Sequence, residues 1–172
     1  VPIHVYGVMV HGIGTWAYIY HDNVRQGTNV TVDVLFRTLA AIEAAGRTLP
    51  DTLYLQLDNT VKQNKSKYLM AYLAWLVKTG VFKRIIVSFL PVGHTHEDID
   101  QLFSRIAVLL RQTDARSRSE LGEVIREAYH KEGLVNNCPT VVAVDSAHNW
   151  SDFILPWIKP MHGITCYYPF EI

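Results

Sequence analysis

Two acidic positions stand out by where they fall in the chain. Asp58 follows the short apolar stretch Leu53-Tyr54-Leu55-Gln56-Leu57, and the segment Gly93-His94-Thr95-His96-Glu97-Asp98-Ile99-Asp100 follows a second one, Ile85-Ile86-Val87-Ser88-Phe89-Leu90. Short, almost wholly apolar runs suit strands covered on both faces, and in open α/β sheets reactive groups collect beyond the carboxyl ends of the strands. Both acidic segments are therefore expected to face one cleft. Carboxylates gathered there repel one another unless a cation lies between them, and hard oxygen donors without cysteine suit Mg²⁺ or Mn²⁺.

Periodicity selects among the acids of the second segment. At about 100° per residue, Ile99, Leu102, Phe103, Ile106, Leu109 and Leu110 form the face of a helix that packs on a sheet. Asp100 and His96 lie together on one border of that face, so Asp100 is the first choice of ligand. Glu97 lies nearly opposite, and Asp98 on the other border either supports the ligands from behind or complements the helix N-terminus. His94 and His96 have the spacing to ligate zinc, to contact a phosphate or to set the loop by hydrogen bonds. Asn59, Lys62, Lys65 and Lys67 gather after Asp58 at the start of a helix. Cations and helix dipole there suit a phosphodiester backbone, and a solvated helix start is the plainer reading. His4, His11, His21, His130, His148 and His162 carry no motif and read as surface or satisfied core positions.

The elements that must hold these groups are legible in outline. Ile3 to Val10 and Thr15 to Tyr20 read as a hairpin around Gly12-Ile13-Gly14, and Val32, Leu35, Phe36, Leu39 and Ile42 recur at helical spacing. A second helix over Asn64 to Lys78 is hydrophobic nearly all round, which predicts burial. A third spans Glu97 to Arg111. Ser117 with Glu120 signals the cap of a fourth, ending near Gly133, before a strand at Val141 to Val144. The tail from Trp150 to Tyr168 shows no period. This order predicts an α/β fold, one mixed sheet flanked by helices.

Composition sets the limits. The 172 residues, 49% of them hydrophobic, are enough for one sizeable core. A single domain over 1–172 is expected, with the motifs in 1–111 and a helix, a strand and an aromatic-rich extension in 112–172. Sixteen basic and sixteen acidic residues cancel, which excludes binding to nucleic acid through bulk positive charge. Cys138 and Cys166 form no pairwise motif and read as reduced thiols in a cell interior. Tyr68 to Val77, the longest apolar run, is about half of what a bilayer requires, so no membrane partner is expected.

The words Tyr54-Leu55-Gln56-Leu57-Asp58-Asn59, Asn64-Lys65 and Ser88-Phe89-Leu90-Pro91-Val92-Gly93-His94-Thr95-His96-Glu97-Asp98-Ile99-Asp100-Gln101-Leu102-Phe103-Ser104 resemble an uncharacterised transposon-associated domain of eukaryotic proteins. Through it the chain resembles the DDE/D-type transposases and integrases of the RNase-H-like superfamily. The likeness extends over the hairpin and Thr28-Asn29 to about Arg111, and loosely over Asp145 to Trp157. It implies an RNase-H-like core with Asp58 as the second family acid and Asp100, three residues before Phe103, as the third. It further implies two-metal phosphoryl transfer with Mg²⁺ or Mn²⁺ on DNA, hence a nuclear location, and it leaves room for a homo-oligomer.

One family element has no counterpart. The first strand and its Asp should precede the hairpin, yet no acid precedes Asp22. We therefore expect an N-terminally truncated core that binds metal poorly and catalyses weakly or not at all, either as a fragment of a longer protein or as a domesticated or decayed relic. A zinc-dependent hydrolase built on His94, His96 and an acid is the alternative from another class.

Overall fold

The computed structural model describes residues 3–21, 24, 27–58, 66–89, 98–131, 133, 137–158 and 170–172, with the side chains of 98 and 170 left aside. The chain separates into two compact units, residues 1–25 with 95–147 and residues 26–94 with 148–172. Each has its own three-stranded sheet and its own apolar cluster. The fold is mixed α/β, as expected. The described strands form two small mixed sheets where one was expected.

In the first unit, β1 (Ile3–Val10) and β2 (Gly14–His21) pair antiparallel, from Ile3↔His21 to Val10↔Gly14. Residues 16 to 20 of β2, the middle strand of three, are all buried. Its other neighbour runs parallel to it and comes from far downstream, with Trp16 opposite Thr140. Helix α3 (Asp98–Leu110) lays Leu102 and Ile106 on Ala17 and Ile19. The buried stripe of α3 is narrower than expected: Phe103 and Leu110 remain 38% and 39% exposed. They sit at the edge of a stripe centred on Leu102, Ile106 and Leu109. Helix α3 passes close to β1 at Gly7, where a Cβ would meet Ile99 Cδ1 at 2.9 Å and Leu102 Cδ2 at 3.0 Å.

Helix α4 (Arg118–Lys131) begins as its sequence signals. Ser117 Oγ accepts from Glu120 N at 3.1 Å, and the Glu120 carboxylate turns back to accept from Arg116 N at 2.6 Å. Leu121, Ile125 and Tyr129 close the cluster, and the Arg105 guanidinium lies 5.3 Å over the Tyr129 ring.

In the second unit, α1 (Thr28–Ala44) leads to β3 (Thr52–Leu57), α2 (Lys67–Lys78) and β4 (Arg84–Phe89). β3 and β4 run parallel with Leu57 opposite Phe89, and α2 is the crossover that parallel neighbours require. Two expectations change here. β3 is paired on one side only among the described residues and alternates, with Tyr54 72% exposed while Leu53 and Leu55 pack inward, so it is not covered on both faces. Helix α2 buries Leu69, Met70, Tyr72, Leu73 and Leu76 but leaves Trp75 37% exposed, so it is amphipathic. Apolar residue type alone did not reveal the outward side of either element.

Ser66 caps α2 by accepting from Leu69 N at 3.2 Å, and Thr28 Oγ1 at the start of α1 donates to the same oxygen at 2.9 Å. Ser66→Ala is expected to lower stability by about 1 kcal/mol, read as a lower urea midpoint at unchanged slope. At the other end of α2, Gly80 takes φ +80, and Val81 N reaches back to Leu76 O at 3.0 Å, a left-handed stop that a side chain would strain. Downstream, β5 (Thr140–Val144) belongs to the first sheet, while α5 (Trp150–Ile154), a 3₁₀ turn (Leu155–Trp157) and β6 (Phe170–Glu171) belong to the second unit. No described helix is long and apolar enough to cross a membrane.

Candidate functional site

Asp58 is the first residue past the carboxyl end of β3 and is exposed. Because β4 runs parallel beside β3 in register, the chain leaves both strands at the same edge of that sheet, where such folds gather reactive groups. Lys67, first residue of α2, is exposed with its Nζ 5.3 Å from the Tyr68 ring centroid. Asn59, Lys62, Lys65, His94, His96 and Glu97 lie outside the described residues.

Asp100 is half-buried in the first turn of α3, and Asp98 is the first residue of that helix. Asp58 is carried by the second unit and Asp100 by the first. As donors the two carboxylates suit a hard divalent ion. No group of three His, Cys, Asp or Glu able to hold a metal occurs among the described residues.

A different carboxylate is held by several described donors. Asp33, in the second turn of α1, is fully buried. Its Oδ2 accepts from Arg37 Nε at 2.6 Å. Its Oδ1 accepts from His148 N at 3.2 Å, from Trp150 Nε1 at 3.2 Å and from the His148 ring at Nδ1, 2.5 Å away. One turn earlier, Asn29 Oδ1 accepts from Ser151 N and Ser151 Oγ, each at 2.7 Å. Three residues after Asp33, the Phe36 ring lies 5.1 Å from that of Trp150 and 5.7 Å from that of His148. Asn29, Asp33, Phe36 and Arg37 thus form one stripe of α1 that receives the segment from His148 to Phe153. Burial, and then the negative charge of Asp33, push the Tyr72 hydroxyl well above its ordinary range.

The family model described as "Domain of unknown function (DUF7869)" matches residues 1–172. The chain belongs to the DUF7869 family. No curated protein and no solved structure matches it.

Elsewhere in the DUF7869 chain, Arg118 joins the start of α4 to the end of β5, donating to Val144 O at 2.9 Å and to Asp145 Oδ1 at 2.5 Å. That hydrogen bond, and then the guanidinium charge, hold the Asp145 carboxyl below its usual range. A shallow cleft beside it is lined by Ile19, Arg118, Arg126 and Val141, and Arg126 pairs with Glu123 at 2.9 Å. Arg118 is thus a tie between helix and sheet. Cys138 is a free, half-buried thiol whose pKa is raised by that burial.

Sequence reasoning missed Asp33 altogether and left His148 without a role. A faint signal existed. Asn29, Asp33 and Phe36 are spaced four and three apart, the period of one helix face, and Asp33 interrupts an otherwise apolar run. Nothing in that spacing names a partner more than a hundred residues away.

Proposed function

We propose that this DUF7869 chain carries an RNase-H-like, transposase-type core for phosphoryl transfer on DNA, with Asp58 and Asp100 as two of its metal-binding carboxylates. One observation carries the reading: the parallel β3-α2-β4 unit, in register, with Asp58 just beyond its carboxyl edge. The order of elements agrees with it, since an antiparallel hairpin, a helix, the parallel pair and a further helix bearing Asp100 follow in the sequence the superfamily uses.

In this reading Asp58 and Asp100 would hold Mg²⁺ or Mn²⁺, which when bound activates water or a DNA 3′-hydroxyl and stabilises in-line displacement at phosphorus. Lys67 then serves the backbone phosphates, where an exposed cation at a helix start favours an anion. Asp58 and Asp100 stand for the second and third family acids in this reading, so activity requires a further carboxylate in the place of the first.

Titration of Mn²⁺ into the full-length protein tests this. Asp58→Ala and Asp100→Ala are each expected to weaken binding at least tenfold, about 1.4 kcal/mol, while leaving the melting transition in place. Unchanged Mn²⁺ affinity in both variants overturns the proposal. Loss of binding without any DNA cleavage by the wild type would mark a non-catalytic descendant of such a core.

A further inference from the structure

The pair formed by Asp33 and His148 lies within residues 26–94 and 148–172 and owes nothing to Asp58 or Asp100. An ionised carboxylate can only accept hydrogen bonds, and Asp33 Oδ1 already accepts from a backbone N–H and an indole N–H. The third contact to that oxygen therefore requires a proton on His148 Nδ1, which leaves the lone pair of the neutral ring on Nε2. The other carboxylate oxygen, Oδ2, accepts from Arg37 Nε at 2.6 Å, while the backbone N–H and the ring of His148 both meet Oδ1.

The imidazole side chain is 57% exposed, in contrast to the fully buried carboxylate behind it. A group serving only to dock the segment onto α1 would gain from burying its ring, whereas this ring stays open to solvent with its tautomer set. Phe36, 38% exposed, stands edge-on to it with ring centroids 5.7 Å apart. Its exposed part is an apolar surface beside the imidazole.

We propose that His148, oriented by Asp33, is a general base for hydrolysis of aryl esters whose ring rests against Phe36. Nε2 takes a proton from water as the water oxygen bonds to the ester carbonyl carbon. The carbon–oxygen bond to the phenol then breaks, and the proton passes from Nε2 to the departing oxygen. One ester and one water give one acid and one phenol, and the imidazole ends neutral. An aryl ester suits the site because a phenolate leaves with little help. Asp33 is a positioning residue throughout, holding the Nδ1 proton.

Hydrolysis of p-nitrophenyl acetate by the intact protein tests the assignment. His148→Gln is expected to lower the protein-catalysed rate at least tenfold, and His130→Gln, at an exposed position of α4, to leave it unchanged. Long-range proton–nitrogen NMR should find the wild-type His148 proton on Nδ1. In Asp33→Asn it should shift towards Nε2 as the rate falls. An unchanged rate in His148→Gln, an equal loss in His130→Gln, or a wild-type proton on Nε2 would each overturn the proposal. The exposed His148 variant and the wild-type tautomer keep it falsifiable even if Asp33→Asn does not fold.

Discussion

Replacing Asp33 with alanine is expected to destabilise the protein by about 3–5 kcal/mol, the range seen when one member of a buried charged network is deleted. The reason is what the substitution leaves behind. Arg37 Nε, His148 N, His148 Nδ1 and Trp150 Nε1 all donate to this carboxylate, and alanine removes their shared acceptor at a position with no access to water. Each stranded donor costs its desolvation, and those nearest the surface recover part of that cost from solvent. Asp33→Asn keeps the shape and one acceptor oxygen but places an amide N–H against donors. An intermediate loss of about 1–3 kcal/mol follows. Chemical denaturation of both variants checks the ordering, alanine worse than asparagine. A loss below about 1 kcal/mol for Asp33→Ala would show that the four hydrogen bonds contribute little.

The second large effect is expected at Gly7. Glycine inside a strand ordinarily weakens it by about 0.5–1 kcal/mol relative to alanine, so Gly7→Ala would stabilise β1 if only the backbone mattered. Packing reverses the sign. The new Cβ would lie 2.9 Å from Ile99 Cδ1, 3.0 Å from Leu102 Cδ2 and 3.1 Å from Phe103 Cζ. Phe103 is partly exposed and can yield, but Leu102 is fully buried and cannot move without displacing Ala17 or Ile106 around it. Gly7→Ala should therefore cost about 1–3 kcal/mol, and Gly7→Val more. A double-mutant cycle with Ile99→Ala gives the sharper readout. Because that change removes the closest atom, the Gly7→Ala penalty should shrink in its presence. A penalty that is merely additive would mean that the strain arises elsewhere.

Both effects show where local pattern stops being informative. The strands β3 and β4 and the helix between them were legible as elements, because two short apolar runs flank a helical stretch; their parallel pairing came from the structure. The cap at Ser117 was legible too, since a hydroxyl three residues before Glu120 satisfies its N–H wherever the helix sits. Asp58 was correctly expected at the carboxyl end of a strand, and Asp100 on a helix following the next one. The strand edges were not legible. Thr140–Val144 joins β2, and Phe170–Glu171 joins β4, through backbone groups that every residue possesses, so side-chain pattern could not announce the partners.

What the sequence by itself determined is local: which stretches up to Val144 become helix or strand, where Ser117 caps α4, and which acids lie near strand ends, whereas the short helix at Trp150–Ile154 went unread. These follow from period, turn chemistry and residue type over a few neighbours. Tertiary structure decided the rest. It divided the strands between two sheets, turned Tyr54 and Trp75 outward, required glycine beneath Leu102, and surrounded Asp33 with donors from a segment more than a hundred residues away. The physical reason is that burial and hydrogen-bond satisfaction are properties of the closed chain, and only closure brings Asn29, Asp33 and Phe36 against the residues from His148 to Phe153.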